Sequence, residues 1–454
     1  MNNNDHEYKS NRNGSLENVL VTALGNPDTA ASSKPVPTTY YPRIGDGLLQ
    51  RALLNAGAVQ IVGPKWCGKT TTAEQVAQQA IYFQDPDVRD NLLRIANDKP
   101  SVLLEGAKPL LLDEWQDAPK IWDAVRFAVD RNKNVGQFIL TGSVISNDKE
   151  IKHSGTGRIS RIRMRTMSLY ESGESSGEVS LSSLLRQEAI QAQSRVEKHE
   201  IAHMIVRGGW PSTVTNKDSG MYQARDYVES IIESDISKVD GIDKNPKRVR
   251  LLMRSLARNE STKAAMTTIQ ADMSADEGVL STNTIAVYLN ALRRLYVLEE
   301  QEAWAPAVRS KTAIRTSPIR RYCDPSIATA ILRLTPEKLI ADYHTFGMLF
   351  ESLCIRDLRT YAESIDATVY HYRDARGLEC DAVIEYGDGR WGACEIKLNN
   401  GHVDQAAVNL LKIQQEVRSQ HGGEAQFLMV ISTGGYAYRR SDGVYLVPIE
   451  CLCP

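Results

Sequence analysis

The sequence predicts an α/β protein of several domains, and three observations carry that prediction. Short apolar runs at 59–62, 81–83, 110–112 and 138–140 alternate with longer amphipathic stretches. A glycine-rich loop stands directly between the first run and a helix-forming segment. A second strand-and-helix alternation begins near Tyr322. Runs of about four residues have strand length, and their regular alternation with helices makes a parallel sheet covered on both faces.

Length and composition agree with this class. A chain of 454 residues holds about two to four domains. An apolar share of 42% and a charged share of 24% exclude a wholly disordered, collagenous or coiled-coil protein. The net charge of -2 excludes a nucleic-acid coat protein or a polybasic membrane binder, so any nucleic-acid site must be a local patch. Seven scattered cysteines without C-x-x-C pairs suggest neither a zinc site nor a disulfide framework. The chain has no run of about 18 apolar residues, and its first residues lack the basic and apolar regions of a signal peptide. The expectation is a cytoplasmic protein with no membrane partner.

The elements follow in order. Residues 1–40 are rich in Asn, Ser, Thr and Pro and read as a polar, disordered tail. Residues 41–175 hold the four apolar runs and form the first core. The composition turns to Ser, Gly and Glu at 171–183, and 184–245 reads as wholly helical apart from the break Gly208-Gly209-Trp210-Pro211. In 246–305 three helices precede the extended Val297-Leu298, a pattern that fits a winged helix-turn-helix or a small helical lid. A basic connector, 306–321, carries Arg309, Lys311, Arg315, Arg320 and Arg321. Residues 322–454 then read as a helix at 346–361, strands at 368–373, 378–386 and 390–398, a helix at 403–418 and strands at 426–432 and 444–449, with Gly387-Asp388-Gly389 as a hairpin turn.

The loop Gly63-Pro64-Lys65-Trp66-Cys67-Gly68-Lys69-Thr70 is a complete G-x-x-x-x-G-K-[ST], followed by the helix-forming Thr71-Thr72-Ala73-Glu74. Backbone amides and a helix start can cradle phosphates there, Lys69 can neutralise the β- and γ-phosphates of ATP, and the Thr70 hydroxyl can hold Mg²⁺. The apolar strand ending in Asp113-Glu114 supplies a carboxylate for Mg²⁺ (Asp113) and one to orient and deprotonate water (Glu114). A third strand delivers Thr141 and Ser143 to the same sheet edge, as contacts for the γ-phosphate or as an ordinary strand-ending turn. Ser154-Gly155-Thr156-Gly157 leads to Arg158, and Arg161, Arg163 and Arg165 follow at alternate positions, which in a strand share one face.

Between about residues 40 and 447 these parts resemble an AAA+ ATPase of the bacterial and archaeal type, in which strands reading Leu-Leu-Leu-Asp-Glu and Leu-Thr-Gly-Ser precede a Gly-Arg segment and a domain of unknown function follows. The resemblance implies ATP and Mg²⁺ as cofactors and a helical lid over 184–245. It makes Arg158 a candidate arginine finger acting on the ATP of a neighbouring copy in a homo-oligomer. It makes Arg207 a candidate second sensor of the nucleotide, the alternative being a surface arginine beside a turn.

In the C-terminal part Glu395 and Lys397, two apart in a strand, project to one face, and the hairpin through 387–389 brings Asp381 onto the adjacent strand. The two carboxylates can share a divalent metal with Glu351 on the preceding helix while Lys397 polarises water or a scissile phosphate. The order Glu351, Asp381, Glu395-x-Lys397 and helical Gln405 resembles the PD-(D/E)xK nuclease superfamily, and so a restriction-endonuclease-like α/β domain. The alternative is a pair of solvated strand-end acids. Asn283, Asn290, Arg293 and Arg294 on the helix at 281–295, with the connector arginines, offer a phosphate-tracking path for DNA, or a solvated face. The expected function is an ATP-hydrolysing protein acting on DNA. The alternative is a nucleotide-gated switch whose C-terminal domain cleaves nothing.

Overall fold

The computed structural model describes residues 40–143, 155–216, 220–277, 281–306, 317–420 and 423–454. The tail at 1–39, Ser154 and the connector residues Arg309, Lys311 and Arg315 lie outside them. Five strands, β1 (Ala58–Val62), β2 (Gln79–Tyr82), β3 (Leu110–Asp113), β4 (Phe138–Gly142) and β5 (Ile159–Arg163), form a sheet in the order β2-β3-β4-β1-β5. Every pairing in it is parallel. Alternating side chains serve opposite faces: Leu110, Leu112, Phe138 and Leu140 pack with Trp115 and Val125, while Leu111 and Ile139 pack with Leu49 and Ile61. The register sets Asp113 beside Thr141 and Val62 beside Gly142, so the ends of β3, β4 and β1 converge where the glycine-rich loop begins.

The segment after this sheet differs from the expected all-helical reading of 184–245. That range holds one short strand, β7 (Ala192–Ser194), besides the helices Lys198–Arg207, Pro211–Thr215 and Gly220–Ser230, and another, β6 (Val179–Ser180), lies just before it. Strands of two and three residues carry no readable period, and their partners lie at the far end of the chain. There β6 pairs with β16 (Leu452–Cys453) and β7 with β14 (Gly435–Arg439). The Gly-Gly break has a steric cause: a Cβ on Gly208, at φ 76°, would stand 2.4 Å from Ser326 Oγ, and one on Gly209 would stand 2.1 Å from the Met167 carbonyl.

Three helices follow, Pro246–Arg258, Met266–Glu277 and Thr282–Arg294, the first and third capped by Asn245 and Ser281 side chains. They lead into an antiparallel pair, β8 (Leu298–Gln301) and β9 (Ile319–Tyr322). The expected connector 306–321 therefore ends inside a hairpin strand, and this unit runs to Tyr322 rather than stopping at 305. Its far end enters the C-terminal domain, where the Trp304 ring lies 4.9 Å from that of Trp391.

The C-terminal sheet has seven strands. β10 (Ala367–Arg373), β11 (Glu379–Tyr386) and β12 (Trp391–Ile396) are antiparallel neighbours, β13 (Phe427–Ser432) and β15 (Tyr445–Pro448) continue in parallel, and β14 and β7 close the edge. Helix Tyr343–Ser364 covers one face through Phe350 and Leu353, and helix Val403–Ser419 the other through Leu410 and Ile413. No helix among the described residues is long and apolar enough to cross a membrane, and all seven cysteines are free and buried.

Two buried acids join these parts. Asp324 caps helix Pro325–Leu332 and also accepts from Thr166 Oγ1 (2.7 Å), the Gly209 amide (3.0 Å) and Arg356 (3.0 Å). Glu299 of β8 meets Arg163 (3.0 Å), Arg165 (3.1 Å) and Arg359 (2.8 Å). Burial by itself pushes the Glu299 carboxyl up, but the three guanidiniums outweigh it and hold the group at about 2. A folded value below the unfolded one, about 4.3, contributes stability that is complete above that value and is lost as pH falls towards 2. Glu299→Gln deprives three guanidiniums of a shared counter-charge, so we expect a loss of about 3–5 kcal/mol at neutral pH. We also expect a shallower decline of Tm between pH 5 and pH 2. Thermal melts across that range check this, and an acid limb identical to that of the unaltered chain contradicts it.

Candidate functional site

β1 ends in the loop, and the loop ends in helix Lys69–Glu74. Gly68 has φ 98°, and a Cβ on Gly63 would stand 2.2 Å from the Met164 carbonyl, so both positions require glycine. Lys69 is buried, and its ammonium donates to the carbonyls of Gly63 (3.1 Å) and Pro64 (2.8 Å). Thr70 Oγ1 (2.7 Å) and Thr141 Oγ1 (2.5 Å) both donate to Asp113 Oδ1. The hydroxyl of Thr141 thus serves the carboxylate and not open space. Glu114, at φ 53°, accepts from the Gln116 amide and lies 3.4 Å from Ser143 Oγ. Burial pushes its carboxyl above the usual range, with Lys69 and Gln116 opposing. A hydroxyl and one carboxylate, both hard oxygen donors, suit Mg²⁺, which commonly takes one or two protein ligands and completes its shell with water and phosphate oxygens.

Lys69, Thr70, Glu114, Gln116 and Ser143 line a cleft of about 920 Å³ whose far wall is the helical segment after the sheet, including Pro211, Ser212, Gln223 and Lys238. Two loop side chains clasp that wall: Lys65 pairs with Asp235 at 2.7 Å, and the Trp66 ring lies 5.4 Å from that of Tyr227. Thr71 lines the cleft, whereas Cys67 is fully buried beneath the loop. Arg43 fixes the loop from below, donating to the Cys67 carbonyl (2.8 Å), the Arg165 carbonyl (2.9 Å) and Glu171 (3.0 Å).

Several expected residues stand elsewhere. Arg207 is buried, forms a two-pronged pair with Glu174 (2.6 and 2.7 Å) and is not among the residues that line the cleft. Arg158 sits where β1 begins, its carbonyl accepting from the Ala58 amide and its side chain paired with Asp130 at 2.6 Å. That is the opposite end of a five-residue strand from the loop, about 15 Å away. Arg161 donates to Gln60, and Arg163 and Arg165 are committed to Glu299.

In the C-terminal domain Lys397 Nζ lies 2.6 Å from Glu395 Oε2 and 3.4 Å from Asp381 Oδ2, which also accepts from the Ile396 amide at 2.7 Å. Glu351 approaches the same acids but is held by Arg321 at 2.6 Å. Burial and then the charge of Asp381 push both Glu351 and Glu395 up to about 7. The expected helical partner Gln405 is exposed, and Asn409, one turn later, donates to Glu395 instead. Among the described residues no group of three or more His, Cys, Asp or Glu side chains is arranged to hold a metal ion. The expected metal set of Glu351, Asp381 and Glu395 does not fit one here, because an ammonium lies between two of the acids and a guanidinium holds the third. Three arginines of the expected phosphate-tracking path are engaged with acids, while Asn283 and Asn290 are exposed. Arg321 is buried against Gln301 and Glu351, and Arg320 and Arg293 both pair with Glu300.

Sequence spacing misses Arg43, Gln116, Asp235, Glu299 and Asn409, since each acts through a partner distant in sequence or through a turn that no motif marks. Asn409 has the one available signal, lying a helical turn from Gln405 on the same helix.

Comparison with known proteins gives three successive family matches: an AAA domain over residues 55–173, a domain of unknown function (DUF8612) over 198–338 and a domain of unknown function (DUF4143) over 346–452. The second runs unbroken through the helical wall, the three helices and the β8–β9 hairpin. Uncharacterized protein Rv2008c of Mycobacterium tuberculosis is 22% identical over 408 residues, 88% of this chain and 82% of its own length, and Uncharacterized protein Mb2031c of Mycobacterium bovis matches to the same extent. Among solved structures, the Walker-type ATPase paby2304 of Pyrococcus abyssi is 13% identical with a TM-score of 0.41, covering 67% of this chain and 99% of its own. The AAA match spans the glycine-rich loop and the Asp113-Glu114 strand end, so residues 55–173 are similar to a P-loop ATPase domain of AAA type, and the two matches after it are to domains of unknown function.

Proposed function

We propose that this chain binds and hydrolyses ATP and that the nucleotide sets the state of its C-terminal domain. The observation that carries the first half is the Asp113 carboxylate shared by Thr70 and Thr141, with Lys69, Thr70 and Glu114 lining one cleft. Phosphoryl transfer needs charge neutralisation and an aligned water more than covalent chemistry. The loop amides cradle the phosphates, and Lys69 exchanges its two loop carbonyls for phosphate oxygens. Thr70 and Asp113 would hold Mg²⁺, which when bound neutralises charge across the β- and γ-phosphates. Glu114, steadied by Gln116 and Ser143, orients a water and takes its proton. Arg158 stands too far along β1 to serve its own cleft, so its use as a finger rests on a second copy supplying the nucleotide.

For the C-terminal domain, the ammonium between Asp381 and Glu395 supports a switch that cleaves nothing, and we derive no hydrolytic step there. A second reading, action on DNA as a PD-(D/E)xK-like nuclease, is favoured by one observation: Asp381, Glu395 and Lys397 meet across adjacent strands with Glu351 beside them.

Four outcomes test this. Lys69→Ala is expected to lose binding of a fluorescent ATP analogue, and tight binding by that variant sinks the loop assignment. Glu114→Gln is expected to bind ATP and turn it over at least about 100-fold more slowly, the scale of general-base catalysis. Because the base must be ionised and burial raises its pKa, wild-type turnover should climb with pH through a value above the ordinary glutamate range. A pH-independent rate from pH 5 to pH 8 contradicts that role. Supercoiled DNA incubated with the protein and Mn²⁺ is expected to stay intact; nicking that Asp381→Ala abolishes replaces the switch with the nuclease reading.

A further inference from the structure

We propose that a buried relay, from Arg43 through Arg165 to Glu299 and then across the β8–β9 backbone pairing to Arg321, transmits the occupancy of the nucleotide loop to the acid cluster of the C-terminal domain. This deepens the nucleotide reading above and rests on it.

The relay begins at the loop itself. Arg43 donates with one nitrogen to the Cys67 carbonyl and with another to the Arg165 carbonyl, so a shift of the loop backbone is felt directly by the strand that leaves β5. The Arg165 side chain then reaches both carboxylate oxygens of Glu299, at 3.1 and 3.2 Å. In the β8–β9 hairpin Glu299 stands opposite Arg321 and two residues from Gln301, so these three share one face. Arg321 donates to Gln301 Oε1 (3.1 Å) and to Glu351 (2.6 Å), and the Gln301 amide donates to the Asp381 carbonyl at 2.9 Å. The hairpin therefore touches the nucleotide module at one end and two members of the acid cluster at the other.

Burial is what makes this a coupling and not a set of surface contacts. Relative exposures are 8% for Arg43, 7% for Arg165, 3% for Glu299, 0% for Gln301 and 1% for Arg321. In such surroundings a broken contact is not replaced by water, and an unpaired charge costs several kcal/mol. The groups therefore move together. By linkage, any effect of nucleotide on the cluster is matched by an equal effect of the cluster on nucleotide affinity.

Amide hydrogen exchange on the full chain, with and without Mg²⁺ and the non-hydrolysable analogue AMP-PNP, tests this. We expect slower exchange in the loop at 63–70, and a slowing of about five-fold or more in β9 and around Asp381 in β11. In Glu299→Gln the loop response should persist and the β9 and β11 responses should vanish. Loop protection in the wild type with β9 and β11 unchanged overturns the coupling and leaves the nucleotide reading intact. An identical response in Glu299→Gln overturns the route, and no protection at the loop overturns the nucleotide reading and the coupling together. Should Glu299→Gln fail to fold, Gln301→Leu cuts the far end: β9 should still respond and β11 should not. A β11 response in that variant contradicts the route.

Discussion

The arrangement of this protein follows from a constraint on charge: a guanidinium taken out of water must meet a carboxylate. Arg43, Arg165, Arg321, Arg356 and Arg359 are all buried, and the acids that meet them, Glu171, Glu299, Glu351, Asp324 and Asp357, come from other parts of the chain in most cases. Removing any one partner leaves a charge without water or counter-ion, which costs more than most single contacts. The pairs therefore fix how the first sheet, the β8–β9 hairpin and the C-terminal helix Tyr343–Ser364 lie against one another. They do so in directions that hydrophobic packing, which has no directionality, leaves free.

The same logic operates at the candidate sites. Asp113 is held by two hydroxyls and so presents a fixed carboxylate at the sheet edge. Glu114 accepts from the Gln116 amide, and burial raises its proton affinity against the opposing charge of Lys69. In the C-terminal domain the acids are as close, but Lys397 and Arg321 neutralise them internally. Similar residues thus give an open phosphate cradle at one end and a closed ionic cluster at the other.

How much of this is legible in the sequence depends on range. The strand ends at Val62, Asp113 and Thr141 are readable because a parallel sheet buried on both faces needs continuous apolar runs. The loop is readable because its chemistry is local, and the Asp381-Glu395-Lys397 meeting follows from a hairpin turn and a period of two. What escapes is contact made at long range: β7 pairing with β14, Arg43 reaching beneath the loop, and Glu299 collecting three arginines. One basic residue of the nucleic-acid reading shows this: Arg321 looks exposed because arginine usually is, and only the fold reveals the Glu351 that meets it inside.

Calorimetric titration of ATP with Mg²⁺ into the purified protein reads the proposed nucleotide site itself. We expect saturation at one nucleotide per chain, with affinity that falls when the metal is chelated, because Thr70 and Asp113 would contribute through it. A flat titration with the metal present rules that site out.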